Sequence, residues 1–199
     1  MNRRVFSIII SRVFDFYIVV PLIAILLIYR YNLKFNFLDI FLLIGIPILF
    51  FISFVIYESF KKGIKNIDFD LEDGKKTRLI SIIFILLWLI FLLGILVYKH
   101  YNIYFIYVLF MFILILFFAF LITFIWKISF HAIMITSLLC LSIMIGNRYL
   151  MIFFIIVLPF IFYSRYTLKK HTIAQLIGGS LLVFLLFISF LIFHLIVLK

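Results

Sequence analysis

The sequence predicts an all-α, polytopic transmembrane helical bundle, and three observations carry that prediction. Of 199 residues, 69% are hydrophobic and 13% are charged, whereas a soluble domain is closer to half apolar and a quarter charged. The mean hydropathy is +1.43. The apolar residues fall in long runs rather than in the alternating ten-residue segments of a barrel, so spanning helices are the form that satisfies the backbone in lipid. About 137 apolar residues (69% of 199) correspond to six to seven spans at about 20 residues each.

Arg3 and Arg4 precede an apolar stretch, but no small-residue cleavage site follows and Arg12 and Asp15 interrupt it. The first helix is therefore read as part of the mature protein rather than a removable signal. Spans are expected near 16–29, 37–57, 79–98, 103–126, 130–145, 149–163 and 172–198, all within one integral membrane domain over 1–199. The first, fifth and sixth are short against a hydrocarbon core of about 30 Å, so they are expected to tilt or to extend into polar flanks. A six-helix core with an amphipathic first segment is the alternative. Pro21, Pro47 and Pro159 fall inside apolar runs, where membrane helices tolerate them. The one long polar stretch, SFKKGIKNIDFDLEDGKKTR at 59–78, is too short for a domain and reads as an interhelical loop. The single cysteine, Cys140, excludes an intrachain disulfide and a paired-cysteine metal site.

The net charge of +11 would suggest nucleic acid in a soluble protein. Here the Lys and Arg sit in short stretches between apolar runs, which points to topology and to phosphate-bearing lipids, with no nucleic-acid partner. With seven crossings, the N-terminus, the 59–78 loop and the breaks at 127–131 and 164–171 share one side. That side collects thirteen of the eighteen Lys and Arg residues, and the positive-inside rule makes it cytoplasmic.

Ionisable residues at a membrane edge are costly and are functional candidates by default. His100 reads as an interfacial turn residue and His194 as a bundle-facing or interfacial one. His131 and His171 differ, because each opens an apolar helix on the same expected face. Ser129 stands two residues before His131; Ser164 and Arg165 precede His171. Two helix N-termini beside Arg165, Lys127 and Arg78 would make an anion pocket at the interface, and the natural ligand there is a lipid phosphate. The acidic residues Asp68, Asp70, Glu72 and Asp73 read as a salt-bridged loop rather than a metal site. Trp88 reads as a packing residue and Trp126 as an interfacial one.

Ser164-Arg165, five residues, His171, three residues, Gln175, followed by Gly178 and Gly179, resembles the third motif of the type-2 phosphatidic acid phosphatase superfamily of membrane phosphatases, which has Asp where this chain has Gln175. Ile128-Ser129-Phe130-His131 is similar to the second motif, Pro-Ser-Gly-His, without its Pro and Gly. Lys75-Lys76-Thr77-Arg78-Leu79 offers the basic residues of the first. The likeness spans roughly 68–179. It implies that His171 attacks phosphorus to form a phosphohistidine, that His131 protonates the leaving oxygen, and that Arg165, Arg78, Ser129 and Lys75 or Lys76 hold the phosphoryl oxygens. Phosphoryl transfer asks mainly for positioning and positive charge, and imidazole is a competent nucleophile. No metal or other cofactor is implied. The family Asp orients the nucleophilic ring and stabilises its cation; Gln175 can orient the ring but carries no charge. The expectation is a phosphatase acting on phosphatidic acid, phosphatidylglycerol phosphate or a polyprenyl diphosphate. The alternative is a lipid-phosphate binder or carrier that has lost turnover.

Overall fold

The computed structural model describes residues 3–14, 22, 25, 26, 28, 36–46, 48, 49, 52, 53 and 75–197. The expected span at 16–29, much of that at 37–57 and the loop at 59–74 therefore lie largely or wholly outside the described residues. So do the side chains of Arg12, Lys75, Lys76, Arg78 and His194. Among the described residues every regular element is helical and no strand occurs. The chain packs as two compact units, one made of 1–16 with 107–199 and the other of 17–106.

In the unit formed by 17–106, helix α2 (Phe37–Ile40) runs directly into a π-helical turn, Phe41–Gly45. Its start is closed by reciprocal bonds: Asn36 N–H donates to Asp39 Oδ2 (3.2 Å) and Asp39 N–H to Asn36 Oδ1 (2.9 Å), satisfying two orphan donors of the first turn. Helix α3 (Lys75–Tyr98) meets this segment through Trp88, whose indole N–H donates to the Leu42 carbonyl at 3.0 Å. Trp88 thus carries a specific bond in addition to the packing role expected of it. The last four residues of the expected loop, 75–78, are the first turn of α3. After α3 the chain reverses at 99–102. There Lys99 Nζ forms an ion pair with Asp39 Oδ1 and the Tyr101 hydroxyl donates to Asp39 Oδ2 at 2.5 Å. Burial, together with that bond to a carboxylate, pushes the Tyr101 phenol up to about 12. His100, in the left-handed region at φ 55°, is a turn residue as the sequence suggested.

The other unit contains α1 (Arg3–Val13), most of α4 (Ile103–Ile125), α5 (Phe130–Ile145), α6 (Arg148–Thr167) and α7 (Ile173–Val197). Helix α5 is its centre: every residue from His131 to Ser142 is buried. An apolar helix enclosed on all sides is what a sequence without an amphipathic stripe predicts. Met111, Ile115 and Ala119 of α4, Ile133 and Cys140 of α5, and Val183 and Phe187 of α7 form one core cluster. Local chemistry sets the ends of α5. Ser129 caps its start by accepting the Ala132 N–H, and Gly146, left-handed at φ 73°, closes its end. Asn147 then caps α6 by accepting the Leu150 N–H at 3.1 Å.

Helices α4 and α6, and α7 over Ile173–Ile192, are long and apolar enough to cross a membrane. Helix α5, at 16 residues, extends only about 24 Å. Phe117, Phe118 and Leu121 of α4, Ile152, Ile155 and Ile156 of α6, and Leu181, Leu185 and Ile188 of α7 are all exposed. Such a surface suits hydrocarbon as solvent, since water-soluble monomers rarely carry contiguous apolar patches of this extent. Helix α1 is inverted in the same sense: Ser7 and Ser11 face inward and Val5, Ile8, Ile9 and Val13 face outward. The first span expected from sequence began at residue 16, beyond the end of this helix.

Candidate active site

The break between α4 and α5 and the link between α6 and α7 come together at one end of the unit. Lys127 Nζ donates to the Lys170 carbonyl at 2.8 Å, and the Ser129 N–H donates to the Gln175 carbonyl at 3.4 Å. Gly179 permits the approach: a Cβ there would lie 2.8 Å from the Ser129 carbonyl oxygen. Two of the expected motifs thus share one region of this unit.

The link itself is held in a tight form. The N–H groups of Lys170 and His171 both donate to the Arg165 carbonyl (3.1 and 3.4 Å), and Lys169 takes φ 55° to turn the chain. Helix α7 then starts with a capping box, Thr172-Ile-Ala-Gln175. The Gln175 N–H donates to Thr172 Oγ1 (3.3 Å) while Gln175 Oε1 accepts the Thr172 N–H (3.1 Å). The same Oε1 lies 3.2 Å from His171 Nδ1. A backbone N–H can only donate, so the side-chain atom facing it is the amide oxygen rather than the nitrogen. An amide oxygen can only accept, so Nδ1 of His171 carries a proton, and in the neutral ring the lone pair is on Nε2.

His171 and Gln175 line a groove of about 680 Å³ together with Arg3, Lys127, Tyr163, Tyr166, Thr167, Lys169, Lys170 and Thr172. Among the described residues its lining has four Lys or Arg side chains and no Asp or Glu. With two tyrosine hydroxyls at its wall, it can attract an anion and hydrogen-bond its oxygens.

Arg165, Ser129 and His131 are placed differently. Each is buried, Arg165 to 2% exposure and His131 to 6%, and none lines that groove. Ser129 is occupied in capping α5 through Ala132 at 3.4 Å. Arg165 Nη1 donates to Ser11 Oγ at 2.8 Å, and the same oxygen lies 3.4 Å from His131 Nε2. Ser11 of α1 therefore sits between the two residues that the resemblance pairs around a phosphate. One turn earlier, the Ser7 carbonyl accepts the Ser164 hydroxyl at 2.5 Å. The Ser7 hydroxyl is buried with no hydrogen-bond partner among the described residues. Helix α1 also packs its Phe6 ring edge-on to Phe160 of α6, with centroids 6.2 Å apart. Lys75, Lys76 and Arg78 begin α3 in the other unit, and their side chains are outside the described set.

Sequence reasoning did not name Ser7 or Ser11 and took Arg3 only as a basic residue before the first apolar stretch. The signal for the serines was their spacing of four in an amphipathic stretch, RRVFSIIISRV, which puts both on one face. The Thr-x-x-Gln capping signature was also legible and went unread. Among the described residues no three His, Cys, Asp or Glu side chains gather to hold a metal ion. Comparison of the chain with protein-family models, with curated proteins and with solved structures found no match.

Proposed function

We propose that this chain is a multi-pass integral membrane phosphatase that hydrolyses a lipid phosphate or diphosphate at the His171 groove, with the motif loops facing the cytoplasm. The observation that carries the reading is the bond from His171 Nδ1 to Gln175 Oε1, which leaves the lone pair of a groove-lining imidazole on Nε2. In the reaction, that lone pair forms a bond to phosphorus. The ester P–O bond breaks with its electrons on the leaving oxygen, which takes a proton from solvent at the open groove. Water, losing a proton to solvent, then displaces His171 from the phosphohistidine and inorganic phosphate leaves. Arg3, Lys127, Lys169 and Lys170 supply the positive surface that gathers the headgroup, while the apolar outer face gives the lipid chain a route along the bundle. Substrates in this class include phosphatidic acid, phosphatidylglycerol phosphate and polyprenyl diphosphates.

A second reading, a non-catalytic lipid-phosphate binder, is favoured by one observation: Gln175 satisfies a helix cap and brings no charge to stabilise a cationic ring. One experiment separates the two. Purified protein in mixed micelles is assayed for phosphate release and for binding with phosphatidic acid and with farnesyl diphosphate. The phosphatase reading expects release by the wild type and a fall of roughly 10³ or more in His171→Ala, as for loss of a covalent nucleophile. Binding without release from either lipid would establish the binder instead. The orientation is tested by labelling Lys169→Cys in intact and in opened vesicles, since Cys140 is buried; labelling restricted to the cytoplasmic side is expected.

A further inference from the structure

Helix α1 contributes a hydroxyl to the buried pair Arg165 and His131. Ser11 is 6% exposed, and its Oγ reaches both Arg165 (2.8 Å) and His131 (3.4 Å). These contacts cross 154 and 120 residues of sequence. A guanidinium has donors only, so Arg165 Nη1 must occupy one lone pair of Ser11 Oγ. That leaves the hydroxyl with one O–H and one lone pair to offer His131 Nε2. When Nε2 carries a lone pair, the hydroxyl donates; when Nε2 carries a proton, the hydroxyl accepts. Rotation about the Cβ–Oγ bond is enough to exchange the two states, with no movement of Arg165 or of either helix.

We propose that Ser11 is a positioning residue which holds the Arg165 guanidinium and the His131 ring in fixed relation, whether Nε2 carries a proton or a lone pair. An aliphatic side chain could not do this, nor could a residue that only donates or only accepts. The arrangement also gives α1 a purpose beyond anchoring. The same helix brings Arg3 to the groove rim and Ser11 to the buried interior, so a single eleven-residue element touches both parts of the site.

The kinetic half of the test rests on the proposed phosphatase activity; the half that observes the ring nitrogens does not. The full-length protein in nanodiscs is compared as wild type, Ser11→Ala, Ser11→Thr and Phe6→Ala. The last loosens the packing of α1 on α6 through Phe160 while keeping the hydroxyl. The readouts are the ¹⁵N signals of the His131 ring, and kcat and KM for phosphatidic acid in mixed micelles. In Ser11→Ala the His131 Nε2 signal is expected to move away from its hydrogen-bonded position. The expected kinetic effect is a fall in kcat of about tenfold, the size of one lost hydrogen bond to a charged group, with KM changed less than about twofold. Ser11→Thr, which retains a hydroxyl, is expected to restore both, and Phe6→Ala to lower thermal stability without moving the Nε2 signal. The inference is overturned if Ser11→Ala leaves the His131 signals at their wild-type positions, or if Phe6→Ala reproduces the whole effect, since α1 would then be only a docking element. Should the wild type release no phosphate, the phosphatase reading fails and the ¹⁵N comparison alone decides the role of Ser11.

Discussion

Gln175 Oε1 accepts the Thr172 N–H at 3.1 Å and stands 3.2 Å from His171 Nδ1, so a single amide oxygen both closes the start of α7 and sets which ring nitrogen of His171 carries the proton. Structural and chemical roles coincide in one atom, and substitutions at 175 can separate them.

Gln175→Ala removes both roles and should cost about 1 kcal/mol of stability through loss of the cap, together with most phosphate release. Gln175→Glu keeps an acceptor at the same reach and adds negative charge beside both the ring and the helix N-terminus. Its expected outcome is unchanged or slightly higher thermal stability and a rise in phosphate release of at least about tenfold, toward the roughly 10⁴ that an orienting carboxylate contributes in serine proteases. Release that is measurable in Gln175→Glu and absent in the wild type would identify the natural protein as the binder.

Lys169 combines a charge in the groove with a left-handed backbone, φ 55°, a conformation that is unfavourable by about 1 kcal/mol or more for a residue with a Cβ. Lys169→Gly should therefore raise the thermal midpoint while weakening binding to vesicles containing phosphatidic acid, most visibly at low salt. Lys169→Ala should weaken binding to the same degree without the gain in stability. A vesicle co-sedimentation series at two salt concentrations, run beside thermal unfolding, checks both.

Gly179 lies where α7 crosses the start of α5. In an open helix, Gly→Ala is favourable by about 1 kcal/mol. Here the new Cβ would meet the Ser129 carbonyl oxygen at 2.8 Å and the Ala132 Cβ at 3.1 Å, and backbone cannot turn aside as a side chain does. Gly179→Ala is expected to destabilise by roughly 1–3 kcal/mol, read as a lower unfolding midpoint, and to reduce phosphate release by parting the α5 start from the α7 cap.

In the other unit the Tyr101 phenol, half-buried and bonded to the Asp39 carboxylate, holds its proton to about pH 12 against an ordinary value of 10. The folded state binds this proton more tightly than the unfolded chain. Its stabilisation is therefore fully present below pH 10 and is lost as pH rises from 10 through about 12. Subtracting the phenolate absorbance titration of Tyr101→Phe from that of the wild type should isolate a transition near 12. A difference titration centred on 10 would show that the bond to Asp39 does not persist in solution.

Composition and turn chemistry determined the helical class and most of the helix limits from 79 onward, because each is a local property. The run at 130–145 is bounded by a serine cap and a left-handed glycine, and the structure ends α5 at those same residues. The spacing of Ser164, Arg165, His171 and Gln175 likewise set the contact between His171 and Gln175, four residues apart on one chain segment. Tertiary structure alone decided what surrounds Arg165 and His131. Their shared partner, Ser11, is more than a hundred residues distant, and a serine in an amphipathic helix carries no sign of which buried group it will meet. It also decided that Arg165 and His131 lie inside the packing while Arg3, Lys127, Lys169 and Lys170 line the groove. Periodicity reports which face of a helix is buried, but only the packing of α1, α5, α6 and α7 determines which polar atoms those buried faces bring together.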